Sequence, residues 1–147
     1  FIPIMTSITN HKKKIKEHLD VLREAIEIDI NSRPSNIGFN AVACATNLLE
    51  LYLHKKKLID IGKTVKHSWF KRPKEGQKVE PLIERNLPVN FDNKDEVYNL
   101  IYSLEEHRDL LIYGSPSKQE VESVLEKFNK LKRLLFKMIE EDGEQIE

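Results

Sequence analysis

Arg108 stands where a helical pattern calls for an apolar side chain. Val97, Ile101, Leu104, Arg108 and Leu111 recur at steps of three or four, a spacing that puts side chains on one face of a helix. A charge on such a face must be paired, lifted to the surface, or solvated by a cleft. Two readings follow. In one, Arg108 snorkels its head to solvent or pairs with an acid such as Asp29. In the other, the guanidinium faces a groove and takes a phosphate, which its planar fork of donors suits. His107, Asp109 and Tyr113 lie beside it in the chain. Tyr113 is open to two readings as well: an aromatic packed at a helix end with its hydroxyl wet, or a member of the same site.

A second candidate lies upstream. Residues 55–78 carry nine Lys and Arg against Asp60 and Glu75, a local excess of +7 in a chain whose formal net charge is zero. Lys66, His67, Trp69, Lys71 and Arg72 mix cations with an aromatic pair, Trp69-Phe70. Cations on phosphates and rings on bases are the usual means of holding a single strand. The competing reading is that the rings anchor the segment to a core and the lysines are solvated.

Other chemistries find little support. No glycine-rich phosphate loop, dinucleotide fingerprint or Ser-His-Asp set is present. Helical di-metal bundles use repeated Glu-x-x-His pairs, and the chain has none. Glu50 and His54 are one helical turn apart, but a single pair makes no cluster, so neither a metal nor a cofactor is expected. Cys44 has no second cysteine to pair with and is read as a buried, inert thiol.

These residues must be held by helices. Ile15, Leu19, Leu22, Ile26 and Ile30 predict a first helix over about Thr9 to Ile30, closed by Arg33-Pro34. A second helix is expected from Asn36 to Lys57, capped by Ser35, with small residues in its first half and a wide apolar stripe through Leu48, Leu49 and Tyr52. Such a stripe suits a central helix packed on several sides. Residues 58–92, punctuated by Gly62, Pro73, Gly76, Pro81 and Pro88, form a long irregular connection with a short helix near Val79–Glu84. A third long helix is predicted over Lys94 to Ile112, with Asn93 and Glu96 at capping-box spacing and Gly114 in a left-handed stop. The last opens on Ser117 and Glu120, also at capping-box spacing, and presents Val121, Val124, Leu125, Phe128, Leu131, Leu135 and Met138. Glu140 to Glu147 reads as a frayed acidic tail. Residues 1–6 read as a disordered or foreign start ahead of a native Met5. Four amphipathic helices in one domain of 147 residues predict an all-α, antiparallel four-helix bundle.

Two stretches carry a family likeness. One is Ile37-Gly38-Phe39-Asn40-Ala41-Val42-Ala43-Cys44-Ala45-Thr46-Asn47-Leu48-Leu49-Glu50. The other is His107-Arg108-Asp109-Leu110-Leu111-Ile112-Tyr113-Gly114. In this helix order the chain resembles the HEPN domains (higher eukaryotes and prokaryotes nucleotide-binding). The resemblance implies a helical bundle that dimerises. It also implies an Arg and a His separated by four to six residues near the end of the third long helix, a pair that cleaves RNA in active members. Arg108 matches that Arg and Asp109 the polar residue after it, while Tyr113 stands where the His belongs. A phenol is a poor base near neutral pH. His107, one residue from Arg108, points about 100° away from it on a helix.

The resemblance therefore implies a non-catalytic or weakly active protein. It would bind RNA or a nucleotide through Arg108, Asp109 and Tyr113, as a homodimer, beside a nucleotidyltransferase partner or within a toxin–antitoxin pair. The alternatives are a metal-independent endoribonuclease using Arg108 with His107 or Tyr113, and a structural bundle with no ligand. No apolar run reaches the ~20 residues of a membrane span. With the lone cysteine, this gives the expectation of a cytoplasmic protein with no membrane association.

Overall fold

Helices, turns and irregular segments, with no strand, build the described part of the chain. The computed structural model describes residues 3–60 and 62–146, with side chains from Ile8 onward. α1 spans Pro3–Ile28, α2 Pro34–Lys55, α3 Leu82–Asn86, α4 Lys94–Tyr113 and α5 Lys118–Glu141. The protein is all-α, as its periodicity predicts. No described helix is long and apolar enough to cross a membrane.

α2 is the hub. It packs on α1, α4 and α5, whereas α1 packs chiefly on α2. This explains its composition: nearly every residue from Ile37 to His54 is buried, including Cys44, Leu48, Leu49 and Leu53. Only small side chains allow neighbours to approach from three directions. Gly38 is the sharpest case, since a Cβ there would lie 2.8 Å from Leu111 Cβ and 3.4 Å from the Arg108 carbonyl oxygen. The glycine thus lets α4 settle directly on α2 beneath Arg108.

The helix ends depart from expectation in instructive ways. α1 begins at Pro3, six residues earlier than Thr9. Ala25 rather than Ile26 joins the core after Leu22, and Ile26 is exposed, because α2 alone covers that side. α2 starts at Pro34, which suits a first helical position. Ser35 does not cap it. Its hydroxyl donates instead to the carbonyls of Leu111 and Ile112 at the end of α4, 3.5 and 3.2 Å away, where a helix has no internal donors to offer. Asn93 makes no side-chain cap to α4 but adopts left-handed φ of 65°, a conformation asparagine tolerates. Gly114 is extended (φ −100°, ψ −162°). Its glycine is required by crowding, since a Cβ would sit 2.9 Å from the Leu110 carbonyl oxygen. The Ser117–Glu120 capping box forms as expected: the Ser117 oxygen accepts from the Glu120 N–H at 3.1 Å, and Glu120 accepts from the Ser117 N–H at 2.9 Å.

Two segments are more ordered than their composition suggests. The connection between α2 and α4 is pinned by buried Val65, Phe70, Ile83 and Leu87, with a single 3-10 turn at His67–Trp69 and α3 at Leu82–Asn86. The acidic tail is tied back rather than frayed. Asp142 pairs with Lys56, Glu144 with Lys12 and Lys55, and Ile146 packs beside Ile15 and Leu19 of α1.

Candidate functional site: a cationic groove on the central helix

One face of α2, from Phe39 to Asn47, forms the floor of a groove of about 360 Å³. The segment Thr64–Ser68 forms one wall and Arg108 reaches in from α4. Such a volume is at the small end of ligand pockets. The groove exists because Val65 and Phe70 plug into the core on either side of Lys66–Trp69, holding that strip above the small residues of α2.

Arg108 takes the cleft-facing position. Its side chain is 16% exposed, and its guanidinium lies 6.0 Å from the centre of the Phe39 ring. Among the described residues its one ion pair is with neighbouring Asp109, 3.4 Å away and itself exposed. Asp29, the other candidate partner, accepts instead from the Asn31 N–H in the α1–α2 turn. Phe39 is half-exposed, so the groove offers an aromatic face beside a guanidinium.

The basic block divides. Lys66 and His67 line the same groove as Arg108. His67 Nδ1 lies 2.9–3.0 Å from both Glu105 carboxylate oxygens, which fixes the imidazole and directs its other nitrogen away. Lys71, Arg72 and Asp109 line a separate hollow of about 260 Å³ on the far side of Glu105. There Arg72 is ion-paired with Glu106 and lies 5.1 Å from the Tyr102 ring centre. Trp69 is half-buried against the core, with the Lys63 ammonium over its ring. Phe70 is fully buried, edge-on to Tyr98 and Tyr102. The aromatic pair therefore anchors the segment, and Trp69 lines neither hollow.

The two residues with the strongest catalytic claim lie elsewhere. Tyr113 is 80% exposed and does not line the groove. Five residues on a helix turn through about 140°, away from Arg108. His107 Nδ1 donates to the Ser103 carbonyl at 2.8 Å. It faces the start of α5, where with Ser117 it helps hold the Glu120 carboxyl below its usual range.

Behind the groove floor lies a cluster the sequence does not announce. His11 of α1 meets Glu50 and His54 of α2, and the possible ligand atoms of all three lie within 4.8 Å of one another. Glu50 and His54 are 7% and 4% exposed. Burial pushes the Glu50 carboxyl up to about 7, against the Val65 N–H it accepts. Burial also lowers both imidazoles, and Asn47 opposes it at His11 while the Lys63 carbonyl opposes it at His54. The signal that could have found His11 is the helix register. His11–Asn47 and His18–Asn40 are contacts between α1 and α2, both centred on position 29. An antiparallel hairpin turning there puts His11 within a turn of Glu50.

No protein-family model, curated protein or solved structure matches this chain.

Proposed function

We propose that this HEPN-like protein binds RNA or a nucleotide without cleaving it, seating a phosphate between Arg108 and Lys66. The observation that carries this reading is a guanidinium in an apolar helical stripe that turns into a groove rather than to an internal acid. A phosphate accepts two parallel N–H bonds from such a group, and the exposed Phe39 ring beside it gives a base a stacking surface. Asp109 tethers Arg108 only loosely and from solvent, so a phosphate can displace it. A structural bundle with no ligand would leave a cation more than four-fifths buried without a purpose. As the family likeness implies, the protein would act as a homodimer, with a nucleotidyltransferase partner or within a toxin–antitoxin pair. Light scattering on the purified chain tests the first of these.

Cleavage by Tyr113 or His107 has no geometric support, because neither shares the groove with Arg108. One observation does favour a ribonuclease. His67 lies in the groove with its Nδ1 on a carboxylate, the arrangement that prepares an imidazole to take a proton. Incubating labelled RNA in EDTA with the parent protein, His67→Ala and Arg108→Ala separates the two readings. Intact RNA throughout, with binding lost in Arg108→Ala, supports a binding protein. Cleavage lost in both variants supports a metal-independent endoribonuclease in which His67 replaces the expected His.

A further inference from the structure

We propose that His11, Glu50 and His54 form a binding site for a divalent cation of the zinc type, which clamps α1 to α2 behind the groove. Hydrogen-bond orientation supports this independently of proximity. The Asn47 amide nitrogen donates to the Ala43 carbonyl at 2.9 Å, which leaves its oxygen facing His11 Nδ1 at 3.2 Å. His11 must then carry its proton on Nδ1 and present a lone pair at Nε2. That lone pair faces Glu50 Oε2 at 3.5 Å. The second Glu50 oxygen accepts from the Val65 N–H. A third candidate ligand atom comes from His54, whose ring nitrogen lies within 4.8 Å of the ligand atoms of His11 and Glu50. Three candidate ligand atoms therefore converge, two of them on buried residues, and a cation satisfies them together.

The chemistry selects the ion. Two imidazoles and one carboxylate suit zinc better than calcium or magnesium, which prefer all-oxygen sites. The 3.5 Å separation of His11 Nε2 and Glu50 Oε2 is close to the roughly 3.4 Å edge of a tetrahedron with metal–ligand bonds of about 2.0–2.1 Å. His11 already has, in the Asn47 oxygen, the outer-shell partner that ligating histidines use to fix their tautomers. Three protein ligands leave a fourth position for water. Because Glu50 also holds the Val65 N–H, the metal secures the strip that walls the groove.

The test uses the full chain stripped with EDTA and dialysed. Zinc sulfate is titrated against a chromophoric zinc indicator, with melting temperature as a second readout. One zinc should bind per chain with sub-micromolar affinity and raise the melting temperature. Cobalt(II) should give the visible absorption of a four-coordinate site. His11→Asn and His54→Asn should each weaken zinc binding by more than a hundredfold, and Asn47→Ala, which removes only the outer-shell acceptor, by tenfold to a hundredfold. No stoichiometric binding by the parent chain overturns the proposal. So does binding that the ligand variants leave unchanged, which would place zinc on surface histidines such as His18. Should the ligand variants fail to fold, unchanged affinity in Asn47→Ala overturns it by itself.

Discussion

Arg108 and Tyr113 show what single residues disclose. Arg108 breaks an apolar stripe, and a charge at a helical core position has few ways to exist. Spacing therefore singles Arg108 out, but leaves a surface or acid-paired side chain as open as a groove-facing one. Tyr113 was placed beside it by family likeness alone, and five helical residues rotate it out of the groove. His11 was illegible because its partners come from another helix, and only the α1–α2 register brings them together. Two residue-scale outcomes follow. Tyr98 is buried with its hydroxyl unpartnered, so Tyr98→Phe should leave stability unchanged or raise it by about 1 kcal/mol, read by urea denaturation. Tyr113→Phe should not alter RNA affinity, because the phenol does not line the groove; a tenfold loss would return it to the site.

At the scale of elements, the helices follow periodicity and their ends follow neighbours. The four long helices were readable from runs such as Val121, Val124, Phe128 and Leu131, and the Ser117–Glu120 box from local spacing. Asn93 and Gly114 bound α4 as expected, but the side-chain cap at Asn93 and the left-handed stop at Gly114 do not form, and Ser35 does not cap α2, because each answers to the adjoining chain: a left-handed turn, a crowded Leu110, and the end of α4. The order within 58–92 was hidden for the same reason, since Val65 and Phe70 stabilise the connection only once α2 and α4 exist to receive them.

The α2–α4 crossing gives the sharpest element-scale prediction. Gly38→Ala places a methyl 2.8 Å from Leu111 Cβ, a backbone-proximal atom that cannot swing aside. The variant should be destabilised by about 1–3 kcal/mol despite alanine's better helix propensity, and it should weaken ligand binding by lifting Arg108 from Phe39. Ser117→Ala removes the α5 cap and should cost about 1 kcal/mol with the groove intact. Chemical denaturation paired with binding distinguishes the two.

Across the whole molecule, opposite charges are brought together by folding. The basic excess of 55–78 and the acidic excess downstream meet as Lys55 and Lys56 with the tail, His67 with Glu105, and Arg72 with Glu106. Within the groove itself the fixed cations are two, Lys66 and Arg108. This favours a nucleotide or a short single strand over duplex, and it predicts a shallow dependence of affinity on salt.

The tail docking should also leave a pH signature. Lys12 and Lys55 hold the Glu144 carboxyl below its ordinary 4.5. A depressed carboxyl adds stability that is present above that ordinary value and lost as pH falls through the lowered one. Glu144→Gln should therefore melt earlier than the parent at neutral pH, and the difference should vanish in acid once both states are protonated. A constant difference across pH would mean that Glu144 acts by packing alone.

The phosphate groove is tested most directly by fluorescence anisotropy of a short, labelled, mixed-sequence single-stranded RNA in EDTA, with the parent protein and Arg108→Ala side by side. Loss of one charge-assisted contact is worth about 1.5–3 kcal/mol, so the substitution should weaken binding roughly tenfold to a hundredfold with the helical content unchanged. Equal affinity for the two proteins, or no binding by the parent across RNAs and mononucleotides, would contradict a phosphate site at Arg108.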